Sequence, residues 1–132
     1  MVRQNDSLCP CESGQIYNKC CGPLLAEIAF ALTSEALMRS RYTAYVEKNA
    51  DYLVQTWHPD FRPEALEVAM NDKKWLGLKI KSVKGGGTDD VEGIVEFVAR
   101  FKVGGKGHRL HEVSRFVREG GFWFYTSGEI VD

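Results

Sequence analysis

The organisation of this chain is decided by the stretch Cys9-Pro10-Cys11-Glu12-Ser13-Gly14-Gln15-Ile16-Tyr17-Asn18-Lys19-Cys20-Cys21-Gly22-Pro23, which contains all four cysteines of the 132 residues. Two cysteines form a Cys-x-Cys pair and two are adjacent, and Ser13-Gly14 between the pairs favours a turn that brings them together. Four thiolates from two short loops suit a tetrahedral zinc ion, with Zn–S bonds of about 2.3 Å. The stretch therefore predicts one structural Zn²⁺ held by Cys9, Cys11, Cys20 and Cys21, because no coordination position is left for water or substrate.

Other roles for these cysteines have to be weighed. Two disulfides fit the number of thiols, but Cys-x-Cys and vicinal bridges are strained, because bridged Cα atoms are ordinarily about 5.5–6 Å apart. Residues 1–8 are polar and do not resemble a secretion signal, which favours a reducing, cytoplasmic location where clustered cysteines bind metals or act in redox chemistry. The spacing matches neither ferredoxin pattern. Zinc is the preferred interpretation, and redox chemistry and iron remain as alternatives.

The pattern Cys-Pro-Cys-x-Ser-Gly-x-x-Tyr-x-x-Cys-Cys-Gly resembles the SEC-C motif, the zinc knuckle at the C-terminal tail of the preprotein translocase ATPase SecA. In SecA that knuckle contacts the export chaperone SecB and the ribosome, so the resemblance implies a protein or ribosomal partner here. This chain departs from the motif at Glu12, where glycine is usual, and at Gln15, where lysine is common.

Farther along, residues 37–42, 56–59 and 108–116 resemble the bacterial YchJ family. That family places a SEC-C knuckle in front of a domain similar to nuclear transport factor two. The resemblance implies two domains, a SEC-C-like zinc knuckle over residues 1–23 and an α+β cone over residues 24–132.

The first half of the cone domain is predicted to be helical. Three helices are expected, over residues 34–48 with Thr33 as the N-cap, over 51–57 with Asp51 as the N-cap, and over 63–71 with Pro63 as the first residue. The mostly apolar linker over residues 24–32 is expected to pack on the domain, because its side chains would otherwise be exposed to water.

The second half shows the alternation of apolar and polar residues that is typical of half-buried strands. Four strands are predicted, over residues 76–81, 95–103, 108–118 and 122–127. Helices followed by antiparallel strands predict an α+β fold. We expect the helices to pack on a curved four-stranded sheet, the cystatin-like or nuclear-transport-factor-two-like cone that the YchJ resemblance implies.

A register for the two middle strands follows if residues 104–107 form a four-residue loop. The opposed residues would then be Val103 with His108, Ala99 with Glu112, and Glu96 with Arg115. Glu112 would lie in the middle of an otherwise apolar face, where a carboxylate must be paired, be hydrated or have a raised pKa.

Two interpretations of Glu112 stay open. It belongs to a buried polar network with the first helix, whose candidate partners are Arg39, Arg41, Tyr42 and Tyr45. Alternatively, the same residues line a concave pocket in which Glu112 is a general base or anchors a small molecule. Glu112 is the single catalytic candidate, because no nucleophile triad, phosphate loop or glycine fingerprint is present.

The formal net charge of −1 provides no general attraction to nucleic acid, so direct binding to nucleic acid is disfavoured. No apolar run approaches the ~20 residues of a membrane span, and no membrane association is expected.

The preferred function is a cytoplasmic zinc-binding adapter whose knuckle presents Ile16, Tyr17 and Lys19 to its partner. The alternative is a small-molecule-binding protein or enzyme that uses the Glu112 pocket. Loss of one cysteine is expected to unfold the knuckle and spare the cone, because metal binding supplies the folding free energy of so short a segment.

Overall fold

The computed structural model describes residues 7–63 and 73–131. The order of elements is a short 3-10 helix Tyr17–Lys19, α1 Cys21–Leu25, α2 Ser34–Glu47, α3 Ala50–Gln55, β1 Lys74–Gly85, β2 Glu92–Val103, β3 Lys106–Glu119 and β4 Phe122–Ile130. The strands form one antiparallel sheet in the order β1-β2-β3-β4, and α2 packs against it. The predicted α+β fold is confirmed. None of the described helices is long and apolar enough to cross a membrane.

Helix α2 begins where the sequence predicts. The hydroxyl oxygen of Thr33 accepts a hydrogen bond from the N–H of Ala36 at 3.1 Å, which satisfies one of the free donors of the first turn. The helix ends at Lys48, whose left-handed conformation (φ 60°) turns the chain directly into α3.

The predicted N-cap of α3 is wrong. The side chain of Asn49, not of Asp51, accepts the N–H of Tyr52 at 3.1 Å. The N–H of Asn49 itself bonds to the carbonyl of Ala44, so the chain leaves α2 and enters α3 without a spacer. Asp51 lies in the first turn, where its charge still favours the helix dipole. The predicted third helix lies, except for Pro63, outside the described residues.

The register of β2 and β3 differs from the prediction by two residues. Val103 pairs with Lys106, because Gly104 and Gly105 alone form the turn, both with positive φ (57° and 82°). Such a two-glycine turn matches the twist of a hairpin. A shift of two residues keeps every side chain on its predicted face but changes its partner. Glu112 is therefore opposite Phe97, and Ala99 is opposite Leu110.

The same shift changes the pairs on the outer face of the sheet. Glu96 is opposite Val113, not Arg115, and its carboxylate meets the ring of His111 at 2.6 Å. Arg100 is directly opposite Arg109. The outer face therefore carries a like-charge pair that the predicted register does not contain.

The side chains of strand β1 do not alternate regularly between the two faces of the sheet. Its pairing with β2 shifts between Trp75 and Gly77. This bulge turns Leu76 outward, where it is 49% exposed, and keeps Trp75 and Leu78 toward the interior. The Trp75 ring then packs against Tyr42 of α2, with 5.8 Å between ring centroids.

The linker before α2 packs only in part. Leu25 is buried and Ala31 contacts the core, as expected. Ile28, Phe30 and Leu32 are at least 63% exposed, which the sequence does not predict. The Phe30 ring contacts that of Phe122 on β4, so part of this apolar surface is continuous with the sheet.

The core lies between α2 and the concave face of the sheet. It contains Leu37, Tyr42, Leu53, Val95, Phe97, Phe116 and Trp123, together with Cys9, Cys11 and Cys21 of the knuckle. The knuckle is therefore packed into the same core as the cone. The predicted boundary after residue 23 stays a prediction, and helix α1 runs across it.

Candidate metal centre

The knuckle folds as a small hairpin closed by backbone hydrogen bonds. Leu8 and Ile16 form an antiparallel bridge, and the N–H of Cys9 bonds to the carbonyl of Gln15 at 2.9 Å. Gly14 reverses the chain with φ 90°, a conformation that glycine adopts without strain. This hairpin carries the first two thiols, and the start of α1 carries the second two.

All four sulfur atoms lie within 4.8 Å of one another. The Sγ atoms of Cys11 and Cys20 are 3.5 Å apart, and those of Cys20 and Cys21 are 3.9 Å apart. Tetrahedral coordination with Zn–S bonds of about 2.3 Å requires sulfur separations of about 3.8 Å. The described residues therefore place four soft ligands at positions that can bind one metal ion.

The thiols differ in exposure. Cys9, Cys11 and Cys21 are almost completely buried, whereas Cys20 is half-buried and forms the outer side of the cluster. Hydroxyl groups surround them: Ser13 Oγ is 3.1 Å from the sulfur of Cys20, and Thr43 Oγ1 on α2 is 3.9 Å from that of Cys9. Such neighbours orient metal ligands and stabilise their charge.

The cluster needs a cation if all its thiols are to ionise. Hydrogen bonds from the Cys21 and Cys9 thiols lower the pKa of Cys11. Burial raises the pKa of Cys20 to about 11, and the hydrogen bond to Cys11 raises that of Cys21. Ionisation of the Cys11 thiol therefore goes with raised pKa values of the neighbouring Cys20 and Cys21 thiols. A divalent ion removes this conflict, since a coordinating thiol is deprotonated.

Two side chains fix the knuckle to the cone. Arg39 on α2 donates a hydrogen bond from Nη1 to the carbonyl of Cys11 at 2.7 Å. Its Nε donates a second hydrogen bond to the carboxylate of Glu35 at 2.9 Å. Glu12 Oε2 accepts the N–H of Leu78 on β1 at 2.7 Å. A Cβ atom added to Gly77 would overlap this carboxylate, so the β1 bulge and Glu12 fit each other.

The structure corrects one expectation for the pocket and one for the contact surface of the knuckle. Arg39, predicted as a pocket residue, instead faces the knuckle. Glu12 occupies a left-handed position (φ 61°), which explains why glycine is usual there. Of the predicted contact residues, only Lys19 is fully exposed, since Ile16 is half-buried and Tyr17 packs against the core.

The other predicted pocket residues do line one cavity. Arg41, Tyr42, Tyr45 and Glu112 surround a volume of about 170 Å³ between α2 and the concave face of the sheet. Among the described residues, the hydrogen-bond partner of Glu112 is Ser114, whose hydroxyl donates to Oε2 at 2.7 Å. The predicted hydrogen-bond network between Glu112 and α2 is thus not formed within the described part of the chain.

Arg41 is the second ionisable group of this cavity. Its Nη1 donates to the carbonyl of Leu53 at 2.9 Å and to the hydroxyl of Thr56 at 2.7 Å. The guanidinium lies 4.6 Å from the centroid of the Tyr125 ring. Burial lowers the pKa of Arg41. Among the described residues no carboxylate forms an ion pair with it, so the charge is held by hydrogen bonds and aromatic faces.

The described residues define a class of protein, in which a four-cysteine knuckle is docked on a cone-shaped α+β domain. The family model described as "YchJ, middle NTF2-like domain" matches residues 33–128. A UPF0225 protein of Chromobacterium violaceum is 51% identical over 132 residues, which cover 98% of this chain and 97% of the relative. A UPF0225 protein of Bordetella pertussis is 50% identical over 124 residues, 92% of each chain. The chain belongs to the YchJ family.

Two solved structures share the whole arrangement. A SEC-C motif containing protein from Rhodopseudomonas palustris, solved in solution, is 41% identical, with a TM-score of 0.84 over 94% of this chain and 98% of the other. The crystal structure of a SEC-C motif containing protein from Psychrobacter arcticus is 26% identical, with a TM-score of 0.75 over 94% of this chain and 82% of the other. The predicted resemblance to SEC-C and YchJ proteins is confirmed.

Proposed function

We propose that this protein is a cytoplasmic adapter whose knuckle is fixed in shape by one structural Zn²⁺. Cys9, Cys11, Cys20 and Cys21 would hold the ion. A tetrahedral set of four thiolates suits zinc or iron–sulfur chemistry, and zinc is preferred here because the cysteine spacing matches neither ferredoxin pattern. The proposal is carried by the placement of these thiols: three are buried in the core, and the fourth faces the exposed side of the knuckle. The ion would therefore supply structure and no chemistry.

The exposed side of the knuckle is the surface that we assign to a protein or ribosomal partner. Gln15, Asn18 and Lys19 are exposed there. Arg39 and Glu12 hold the hairpin to α2 and β1 from the inner side. A surface held in this way loses little conformational entropy when a partner binds, which favours affinity without a large contact area.

The metal is tested first by measuring the zinc content of the purified protein by mass spectrometry. We expect one zinc per chain, and loss of stoichiometric zinc in Cys11→Ser. A protein that contains iron, or no metal but a disulfide, would contradict the zinc assignment.

The partner surface is tested by co-sedimentation with purified ribosomes at two salt concentrations. We expect Lys19→Glu to reduce the sedimenting fraction several-fold. Lys48→Glu is the matched control, because Lys48 is equally exposed but lies at the end of α2. If the wild-type protein does not sediment, the ribosomal form of the proposal is wrong. If both variants behave alike, the knuckle is not the contact surface.

A second function is favoured by one observation: Arg41, Tyr42, Tyr45 and Glu112 line a single cavity. A pocket of aromatic walls with a few ionisable groups is the usual form of a small-molecule site. Glu112→Gln keeps an oxygen that can accept the Ser114 hydroxyl, so we expect an unchanged melting temperature. Ligands found by NMR fragment screening should lose affinity in this variant. A large drop in melting temperature would assign Glu112 a structural role instead.

A further inference from the structure

The outer face of the sheet, which the proposed function does not use, carries a concentration of positive charge. We define the basic face as the exposed side chains of Lys74, Lys79, Lys81, Arg100, Lys102 and Arg109 on β1, β2 and β3. They include six of the 17 lysines and arginines of the chain. The net charge of −1 is an average over all residues, and it does not describe this surface.

The pairing within the basic face is unfavourable for folding. Arg100 is directly opposite Arg109, and Lys74 is directly opposite Lys102. Like charges in directly opposed positions destabilise an antiparallel sheet. Among the residues that the structure describes, no ion pair relieves either repulsion.

Two carboxylates beside these cations are already engaged. Glu12 accepts the backbone N–H of Leu78, and Glu96 is bonded to His111 at 2.6 Å and to Ser82 at 3.2 Å. Arg100, Arg109, Lys79 and Lys81 line a shallow depression of about 330 Å³ beside Glu12 and Gly77. The cations thus border one depression, and within the described part of the chain no carboxylate forms an ion pair with them, so an external anion can bind there.

The extent of the basic face favours an extended anion over a small one. From Lys102, which is opposite Lys74, to Glu96, which is opposite Ser82, β2 advances by six residues, which is about 20 Å along a strand. Three neighbouring strands add a width of about 10 Å. A single phosphate would meet only one or two of these side chains, whereas a polymer of phosphates would meet most of them.

The remaining side chains narrow the choice of polymer. Protein interfaces depend on buried aromatic or apolar anchors, and the basic face contains only Leu76 as an exposed large apolar residue. The ring that the described residues place beside the cations on this side of the sheet is that of His111, which is half-buried and bonded to Glu96 at 2.6 Å, so it is not free to stack on an unstacked base. The cations lie within a four-stranded sheet, which is wider than the single helix or two-stranded ribbon that the major groove of DNA admits. The minor groove of duplex RNA is wide, shallow and bordered by phosphates, so it can accommodate the cationic outer face of such a sheet.

We infer that the basic face binds the phosphate backbone of double-stranded RNA, without reading its sequence. Arg100 and Arg109 would contact phosphates at the centre of the face, and the lysines would contact them at its margins. This inference does not depend on the zinc knuckle, because no knuckle residue except the engaged Glu12 borders the depression.

The test is fluorescence anisotropy of a labelled RNA duplex of about 20 base pairs, a length that exceeds the roughly 16 base pairs of a known duplex-binding module. If about four phosphates are contacted, affinity should fall roughly 100-fold between 50 and 200 mM salt. The double variant Arg100→Gln/Arg109→Gln should bind at least about tenfold more weakly at 50 mM salt, with a salt dependence smaller by about two contacts.

The matched control is Lys48→Gln/Lys106→Gln, which removes the same charge from the end of α2 and from the start of β3, where Lys106 is opposite Val103 on the other face of the sheet. We expect its affinity to stay within twofold of the wild type. Equal weakening in both double variants would overturn the inference, since the attraction would then be a general charge effect. Absence of binding at 50 mM salt would also overturn it. So would equal binding to a DNA duplex or to single-stranded RNA, or equal displacement of the RNA by polyglutamate.

Discussion

Glu12 and Leu78 join the knuckle to the sheet: the Glu12 carboxylate accepts the backbone N–H of Leu78 at 2.7 Å, 66 residues away in sequence. The bond lies at the β1 bulge, where Gly77 leaves space for the carboxylate. Glu12 holds this position with φ 61°, a conformation that is unfavourable for a residue with a side chain. The hydrogen bond therefore offsets a local backbone cost.

This relationship predicts an unusual order of stability at position 12. Glu12→Ala loses the hydrogen bond and keeps the backbone cost, so we expect a loss of about 1–2 kcal/mol in the free energy of unfolding. Glu12→Gly loses the same hydrogen bond, but glycine adopts a positive φ without the backbone cost that alanine keeps. It should therefore be more stable than Glu12→Ala by about 1 kcal/mol. Glu12→Gln retains an acceptor oxygen and is the control. Urea denaturation measures the series, and an alanine variant as stable as wild type would contradict it.

Removal of the proposed zinc ion should affect the whole domain. From the sequence, the knuckle is expected to unfold without the cone, but Cys9, Cys11 and Cys21 are buried in the core that contains Leu37 and Phe97. We therefore expect a chelator to lower the melting temperature by at least about 10 °C, in one cooperative transition.

Two probes distinguish unfolding of the knuckle alone from unfolding of the whole domain. In a chain that carries Trp57→Phe and Trp75→Phe, the fluorescence of the remaining Trp123, which is buried on β4 far from the cysteines in sequence, reports on the cone. Far-ultraviolet circular dichroism reports on the whole chain. The two signals should shift together on chelation and recover when Zn²⁺ is added. A Trp123 signal that keeps its original midpoint would show that the knuckle unfolds alone.

Stability should fall at alkaline pH. Burial raises the pKa values of Tyr42 and Tyr125 to about 12, against about 10 in an unfolded chain. Between these values the unfolded state has released protons that the folded state retains, so the free energy of unfolding decreases as pH rises through 10–12. Each tyrosine contributes a slope of up to about 1.4 kcal/mol per pH unit.

The alkaline effect can be assigned by substitution. Tyr125→Phe removes one titrating group, and we expect a shallower decrease of stability between pH 10 and pH 12 than in the wild type. Urea denaturation at several pH values measures both slopes. Equal slopes would mean that Tyr125 ionises with the same pKa in the folded and unfolded chains.

The like-charge pair on the outer face predicts a stabilising substitution. Arg109→Gln removes the repulsion from Arg100, so the free energy of unfolding should increase by about 0.2–1 kcal/mol. Lys84→Gln is the control, since Lys84 is opposite the uncharged Ile94. Thermal melts of both variants measure the effect. A decrease for Arg109→Gln would mean that the arginine contributes packing that outweighs the repulsion.

Local patterns predicted helices followed by antiparallel strands, and the resemblance to the YchJ family implied the cone. The spacing of the four cysteines indicated a metal site, and the alternation around Phe97 and Phe116 indicated strands with one buried face. Thr33 was correctly identified as an N-cap because the capping interaction involves only the next three residues. The pocket residues Arg41, Tyr42 and Tyr45 followed from helical spacing and do line one cavity with Glu112.

The errors arose where a choice depended on backbone geometry or distant contacts. A two-residue and a four-residue turn at Gly104 leave the same alternation, so the sequence could not distinguish the two registers. The outward rotation of Leu76 results from a bulge, which fits the Glu12 carboxylate beside Gly77. Arg39 was named as a pocket candidate because it is an arginine of the first helix, and only the docked knuckle shows its partner, the carbonyl of Cys11.

The burial of three candidate metal ligands in the core has a consequence for the abundance of the protein in the cell. A chain that lacks its ion must either expose apolar core residues or keep unpaired thiols beside them. Such chains are substrates for proteases and chaperones, and a change of about 1–2 kcal/mol in stability can alter steady-state levels several-fold. The amount of this protein would then follow the supply of zinc, even when its synthesis is constant.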